Sequence, residues 1–175
     1  MQAQRLGLNR GGYFGEQIDI DSPLARLVPA ATERGWSTTA NPVDPVGQLW
    51  FLTRPALDPQ SGSPPLNLYI STGIHGDEPA GPLAAERLIL ENRWPASANL
   101  WMAPCLNPTG FPLNSRENAA KVDLNRDYNH LRAPETRAHV QWLASQPPWD
   151  LTVLLHEDWE SAGFYLYELH PASRR

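Results

Sequence analysis

The stretch Ser71-Thr-Gly-Ile-His-Gly-Asp-Glu-Pro-Ala-Gly81 limits what this chain can become more than any other. An apolar run, Leu66 to Ile70, leads into it. Glycines and small residues turn the chain, and helix formers from Leu83 to Glu91 lead out. The pattern predicts a strand over 66–72, a tight loop and a helix over 80–91. His75 and Glu78 lie in the loop, three residues apart. An imidazole and a carboxylate at this spacing can reach one point in space, as metal ligands must. Loops at the carboxyl ends of parallel strands are also where open α/β sheets place their sites.

The flanking segments extend the same architecture. Asp21-Ser-Pro23 predicts a helix start, with Asp21 or Ser22 as cap and Pro23 in the first turn. That helix should run to about Arg34 and stop at Gly35, with a kink or break at Pro29. Residues 36–40 and 48–53 read as a hairpin at the sheet edge. Arg54 to Pro65, rich in proline, reads as a surface loop, and residues 99–103 as another strand. Strand, helix and strand in this order imply a right-handed parallel crossover. Pro104 to Lys121 has no period, and a long loop in a short chain points to function. A second helix is expected over 133–145, ended by Pro147-Pro148. Leu151 to Leu155 looks like a central parallel strand, and Phe164 to Leu169 like a last strand packed by Phe164, Tyr165, Tyr167 and Trp159. The fold class is α/β, a mixed, largely parallel sheet flanked by helices and incomplete at its carboxyl end. The expectation is one domain over 1–175, with residues 1–15 as a loose arm.

Composition narrows the chemistry. The 175 residues carry a formal net charge of -5, which argues against nucleic acid or an anionic membrane as main partner. A single cysteine, Cys105, allows no internal disulfide and reads as a small core residue. No targeting or membrane-spanning segment is recognisable, so a cytoplasmic location is expected. Neither a Gly-x-Ser-x-Gly elbow nor a phosphate-cradling glycine loop occurs. His156, directly after Leu151 to Leu155, should lie at the same sheet edge as His75. Two histidines and one carboxylate from two strand ends make the ligand set of a catalytic zinc site, with a fourth position open for water. His130 and His139 read as surface or helix-face residues, and His170 has no partner pattern. Of Glu157, Asp158 and Glu160, at least two read as solvated loop acids.

Between the two histidines lie Asn107-Pro-Thr-Gly110, Asn114-Ser-Arg-Glu-Asn118 and Val122-Asp-Leu-Asn-Arg126. With His75, Glu78, Arg116 and His156, these elements resemble the zinc metallocarboxypeptidase family over roughly residues 66 to 170. Within it the chain is most similar to compact bacterial members, some of which trim murein peptides. The resemblance implies one zinc ion held by His75, Glu78 and His156. It implies that Arg116 polarises the scissile carbonyl, and that Asn125 and Arg126 hold a substrate carboxylate. Asp123 would accept a hydrogen bond from a ligand histidine. An arginine fork suits a carboxylate, and a preorganised cation suits an oxyanion.

The same resemblance marks a departure. The family takes its general-base glutamate, a substrate-facing tyrosine and its side-chain pocket from a region well after the third ligand. Glu168 is too close to His156 to match that base. The chain therefore resembles the front part of a catalytic domain, expected to bind zinc and to turn over substrate poorly. Three functions follow: hydrolysis of a C-terminal peptide bond, acting on a peptide or murein peptide with a free carboxylate; hydrolysis of an N-acyl amino acid in the manner of succinylglutamate desuccinylase and aspartoacylase; or zinc and peptide binding without catalysis. The Asn-Pro-Thr-Gly turn and Arg116-Glu-Asn118 favour the first. An uncovered sheet edge would favour oligomers.

Overall fold

Alternation along three strands sets the layers. In the computed structural model, which describes residues 17–58, 64–158, 161 and 163–169, β1 (Ser37–Val43), β2 (Gly47–Arg54), β3 (Leu66–Ser71), β4 (Ala98–Ala103) and β5 (Leu151–Leu154) form one sheet in the order β1-β2-β4-β3-β5. Successive side chains on a strand face opposite sides. Leu52, Leu100 and Met102, with Leu68 and Ile70, therefore meet Leu27, Ala30, Ala31, Ala85 and Ile89 on one face. Those partners come from α1 (Asp21–Glu33) and α2 (Ala80–Glu91), which are also tied by a forked Arg26–Glu86 ion pair. On the other face Leu49, Phe51, Tyr69 and Ala103 pack with Leu124, Ala133 and Trp142, from α3 (Leu124–Asp127) and α4 (Pro134–Ala144). The result is a mixed sheet between two layers of helix, as the sequence predicts.

The hairpin β1–β2 is antiparallel and lies at one edge, with β2 antiparallel to β4. The β3–α2–β4 unit pairs its strands in parallel, Leu66 opposite Ala98 through Ser71 opposite Ala103. Carboxylates outside the helices brace the starts of α1 and α4. Asp19, rather than Asp21 or Ser22, caps α1: its carboxylate accepts from the Asp21 N–H (3.3 Å) and the Ser22 hydroxyl (2.8 Å). Pro29 does not end α1, which continues to Glu33; Gly35, at φ +80°, then turns the chain. Asp127 braces the entry to α4 by accepting from the Arg132 and Ala133 amides just before the helix and from the Thr136 hydroxyl in its first turn. The long loop after β4 contains a turn of 3-10 helix, Phe111–Leu113.

At the carboxyl end β5 pairs in parallel with β3 but is the edge strand rather than a central one, with Leu151, Thr152 and Leu154 exposed; it is the uncovered edge that the sequence also led one to expect. Its apolar composition reports what the strand could bury, and no described element covers its outer side. Phe164 to Leu169 is not a strand; Phe164, Leu166, Tyr167 and Leu169 are largely exposed. The alternation there has no neighbouring strand to pair with. The proposed arm over residues 1–15, His170, Trp159, Glu160 and part of the 54–65 loop lie outside the described residues. Among the described residues, no helix is long and apolar enough to cross a membrane.

Candidate metal centre and its surroundings

β3 and β4 continue to hold each other beyond their ends. Thr72 N–H donates to Ala103 O, Leu106 N–H to Thr72 O, and Asn107 N–H to Gly73 O. This extension brings the loop carrying His75 against the Asn107-Pro-Thr-Gly110 turn. The contact is backbone on backbone. A Cβ on Gly76 would fall on the Gly110 carbonyl carbon, with Gly110 Cα and Phe111 N at 2.5 Å. Only glycine allows such an approach. The Asn107 side chain closes the turn, accepting from Gly110 N–H at 3.0 Å and donating to Arg116 O at 3.4 Å. The turn thus fixes the loop with His75 on one side and the segment with Arg116 on the other.

Three ligand-type side chains converge here. His75 Nδ1 lies 2.6 Å from Glu78 Oε1, and His156 Nδ1 lies 2.9 Å from Glu78 Oε2. The ligand atoms of all three lie within 4.8 Å of one another. His75 is buried, whereas His156, on the edge of the sheet, is exposed. Burial alone would raise the Glu78 pKa. Hydrogen bonds from His156 and His75, and their charge, outweigh it and bring the carboxyl down to about 2. Glu78 is therefore an anion facing two imidazoles.

The donor set fits a zinc ion: two ring nitrogens and a carboxylate are a set that catalytic zinc sites complete with water. An orphaned atom supports the fit. His75 Nε2 is buried without a hydrogen-bond partner, and Asp123 Oδ1 stands 3.6 Å behind it. A carboxylate behind the distal nitrogen is what a metal-bound imidazole requires to hold its tautomer. Asp123 also caps α3 through Asn125 N–H (3.0 Å) and accepts from Arg116 Nε (2.8 Å). Burial opposes its ionisation, but Arg116 and, more weakly, His75 hold its carboxyl below the usual range. Arg116 Nη1 reaches 3.4 Å from His75 Nδ1 and 3.9 Å from Glu78 Oε1.

Arg116 and Asp123 thus join His75, Glu78 and His156 in one constellation. Asn125 does so indirectly: with His156 it lines a cavity of about 330 Å³, walled by Ile74, Leu106, Leu155 and Trp149. Arg126 is exposed on the same short helix and, among the described residues, forms no ion pair. His139 is not a surface residue. It is buried in α4, with its two nitrogens 2.6 Å from the hydroxyls of Tyr69 and Tyr128. No local signal reveals that trio, because Tyr69 lies far from the other two in the chain. His130 is exposed. Cys105 is buried, as expected, and burial pushes its thiol up to about 12. Glu157 is not a solvated loop acid: its carboxylate accepts from Ala80 N–H at 2.9 Å.

The fold is shared with known proteins. The profile of a family described as the succinylglutamate desuccinylase/aspartoacylase catalytic domain matches residues 64–172. Carboxypeptidase SOL1 of Arabidopsis thaliana is 33% identical, over 54% of this chain and 23% of its own length. A metallo-carboxypeptidase from Pseudomonas aeruginosa, solved with (2-guanidinoethylmercapto)succinic acid, superposes with a TM-score of 0.65 at 26% identity. That match covers 79% of this chain and 40% of the other. An aspartoacylase family protein from Mesorhizobium loti shares the fold, with a TM-score of 0.54 at 22% identity over 70% of this chain and 40% of its own. The chain spans less than half the length of each of these three relatives.

Proposed function

The chain belongs to the succinylglutamate desuccinylase/aspartoacylase catalytic-domain family, and on that premise we propose that it serves zinc-dependent hydrolysis of a C-terminal peptide bond. The observation that carries this reading is the convergence of His75 Nδ1, His156 Nδ1 and both Glu78 oxygens, with Arg116 beside them. His75, Glu78 and His156 would hold one zinc ion. When bound, such an ion polarises a carbonyl and makes water a competent nucleophile at neutral pH.

The remaining roles belong to the protein's own side chains. Asp123, 3.6 Å from His75 Nε2, stands where it would accept the Nε2 proton once His75 Nδ1 is given to a metal ion. Arg116, fixed by its bond to Asp123, offers a cation where negative charge develops on the carbonyl oxygen. Arg126, with no carboxylate partner of its own among the described residues, is available to fork a substrate carboxylate, with Asn125 beside it. A peptide acid, such as a murein peptide, is the substrate class.

The match of residues 64–172 to the desuccinylase/aspartoacylase profile favours a second reading, an N-acyl amino acid hydrolase. It uses the same centre and the same carboxylate grip on the same kind of amide; only the group on the carbonyl side differs, a simple acyl chain in place of a peptide. The test is zinc stoichiometry followed by hydrolysis of matched substrates: peptide acids, the same peptides as C-terminal amides, and N-acyl amino acids. Zinc at one per chain is expected, with at most slow turnover, falling on the acids and not on the amides. Cleavage of N-acyl amino acids alone would replace the first reading by the second. Binding of peptide acids without turnover would leave a binding protein.

A further inference from the structure

The three ligands come from parts of the fold that are held very differently. His75 and Glu78 stand in a loop packed against the Asn107–Gly110 turn and the start of α2. His156 follows a four-residue edge strand with three exposed residues. Packing alone gives His156 little reason to stay within reach of Glu78.

Three observations show what does hold it. Leu155 N–H donates to Ser71 O at 2.9 Å, extending the β3–β5 ladder by one bond. The start of α2 presses on this junction: a Cβ on Gly81 would meet Thr72 Cβ at 3.2 Å and Leu155 O at 3.4 Å. Glu157 then closes a ring. Its backbone N–H donates to Glu78 Oε2 at 3.1 Å, and its side-chain Oε2 accepts from Ala80 N–H at 2.9 Å. Glu78 and Ala80 are two residues apart, so both ends of the Glu157 residue grip the same short stretch. The other oxygen, Glu157 Oε1, is buried with no hydrogen-bond partner. An unsatisfied buried carboxylate oxygen is costly, so the placement of this side chain calls for a compensating role. Capping the first turn of α2, where a negative charge is favoured, is one part of it.

We propose that Glu157 is a positioning residue that clasps the His156 segment to the start of α2 and so sets the metal-binding geometry of Glu78 and His156. This rests on the metal-centre reading above. Glu157 is not a ligand; it acts through Glu78, whose Oε2 is held between the Glu157 amide and His156 Nδ1. Loss of the side chain frees the edge segment to move away from Glu78, while His75 and Glu78 keep their own supports.

The test is zinc affinity, measured by competition with a chromogenic chelator, together with thermal unfolding of the metal-free chain. Wild type, Glu157→Ala, Glu157→Gln and Glu157→Asp are compared. Glu157→Ala should weaken zinc binding by about 10- to 100-fold, the range found when groups supporting metal ligands are removed. Glu157→Gln keeps an oxygen for Ala80 N–H and should recover most of the affinity. Glu157→Asp keeps the charge but shortens the reach by one methylene, and should bind zinc weakly. It remains informative if Glu157→Ala folds poorly. The metal-free unfolding midpoints should stay close to wild type, because the clasp lies at the sheet edge. Wild-type affinity in both Glu157→Ala and Glu157→Asp would overturn the clasp, as would a loss in Glu157→Gln equal to that in Glu157→Ala. Absence of zinc binding by wild type would instead overturn the metal-centre reading itself.

Discussion

Lowering the pH from 7 to 5 should cost the fold about 2 kcal/mol through His139 alone. The ring is buried between β2, β3 and α4, with Phe51 and Trp142 stacked alongside. Tyr69 and Tyr128 occupy its two nitrogens, each at 2.6 Å. Neutral imidazole satisfies this arrangement, donating at one nitrogen and accepting at the other. Burial lowers the pKa from 6.5 to about 4. The unfolded chain therefore takes up this proton below pH 6.5, while the folded chain resists until about pH 4. Stability is complete above the unfolded value and is lost as pH falls between the two. At about 1.4 kcal/mol per unit, the full span amounts to roughly 3 kcal/mol, and most of it falls before pH 5. Against a domain stability of about 5–15 kcal/mol, that is a large share. Urea unfolding followed by fluorescence of the seven tryptophans, at pH 7, 6 and 5, measures it for wild type and His139→Gln. The variant should be less stable at pH 7 yet lose about 2 kcal/mol less on acidification. Carboxylate titrations are common to both proteins and cancel. Parallel pH slopes would refute the reasoning.

Two further outcomes follow from contacts already described. Gly76→Ala places a methyl on the Gly110 backbone, so it should destabilise the fold by about 1–3 kcal/mol and lower zinc occupancy, read by calorimetry and metal analysis; unchanged occupancy would show that the loop moves without carrying His75. The bare β5 edge, with Leu151 exposed, should give concentration-dependent association in sedimentation velocity, and Leu151→Lys should suppress it because an edge lysine disfavours strand pairing.

The centre of the fold was legible because its signals are local. An apolar strand, a glycine-rich loop and a helix run mark β3, the site loop and α2 directly in the residues 66–91. That His75, Glu78 and His156 come together was legible because the two histidines follow strand ends at one edge of the sheet, with Glu78 three residues after His75. What failed depends on neighbours that composition does not name. Leu151 to Leu154 has the residues of a buried strand, yet exposure is decided by what lies beyond it. Phe164 to Leu169 alternates like a strand, yet a strand needs a ladder partner. α3 is four residues long, too short for any period. His139 was misjudged because Tyr69 reaches it from another element. Glu157 was visible as an acid beside His156, but its bond to Ala80 exists only once β5 and α2 meet.

The edge position of β5 also sets how the site assembles. Strand edges open at lower free energy than sheet centres, and hydrogen exchange reads that opening residue by residue. His156 lies two residues beyond β5, so each opening of the strand would draw it away from His75 and Glu78. If the proposed metal centre holds, apparent affinity for the ion would scale with the fraction of molecules in which β5 is closed. Exchange of the β5 amides and occupancy of the site are two readings of one equilibrium, and a bound ion should slow the first by holding the strand shut.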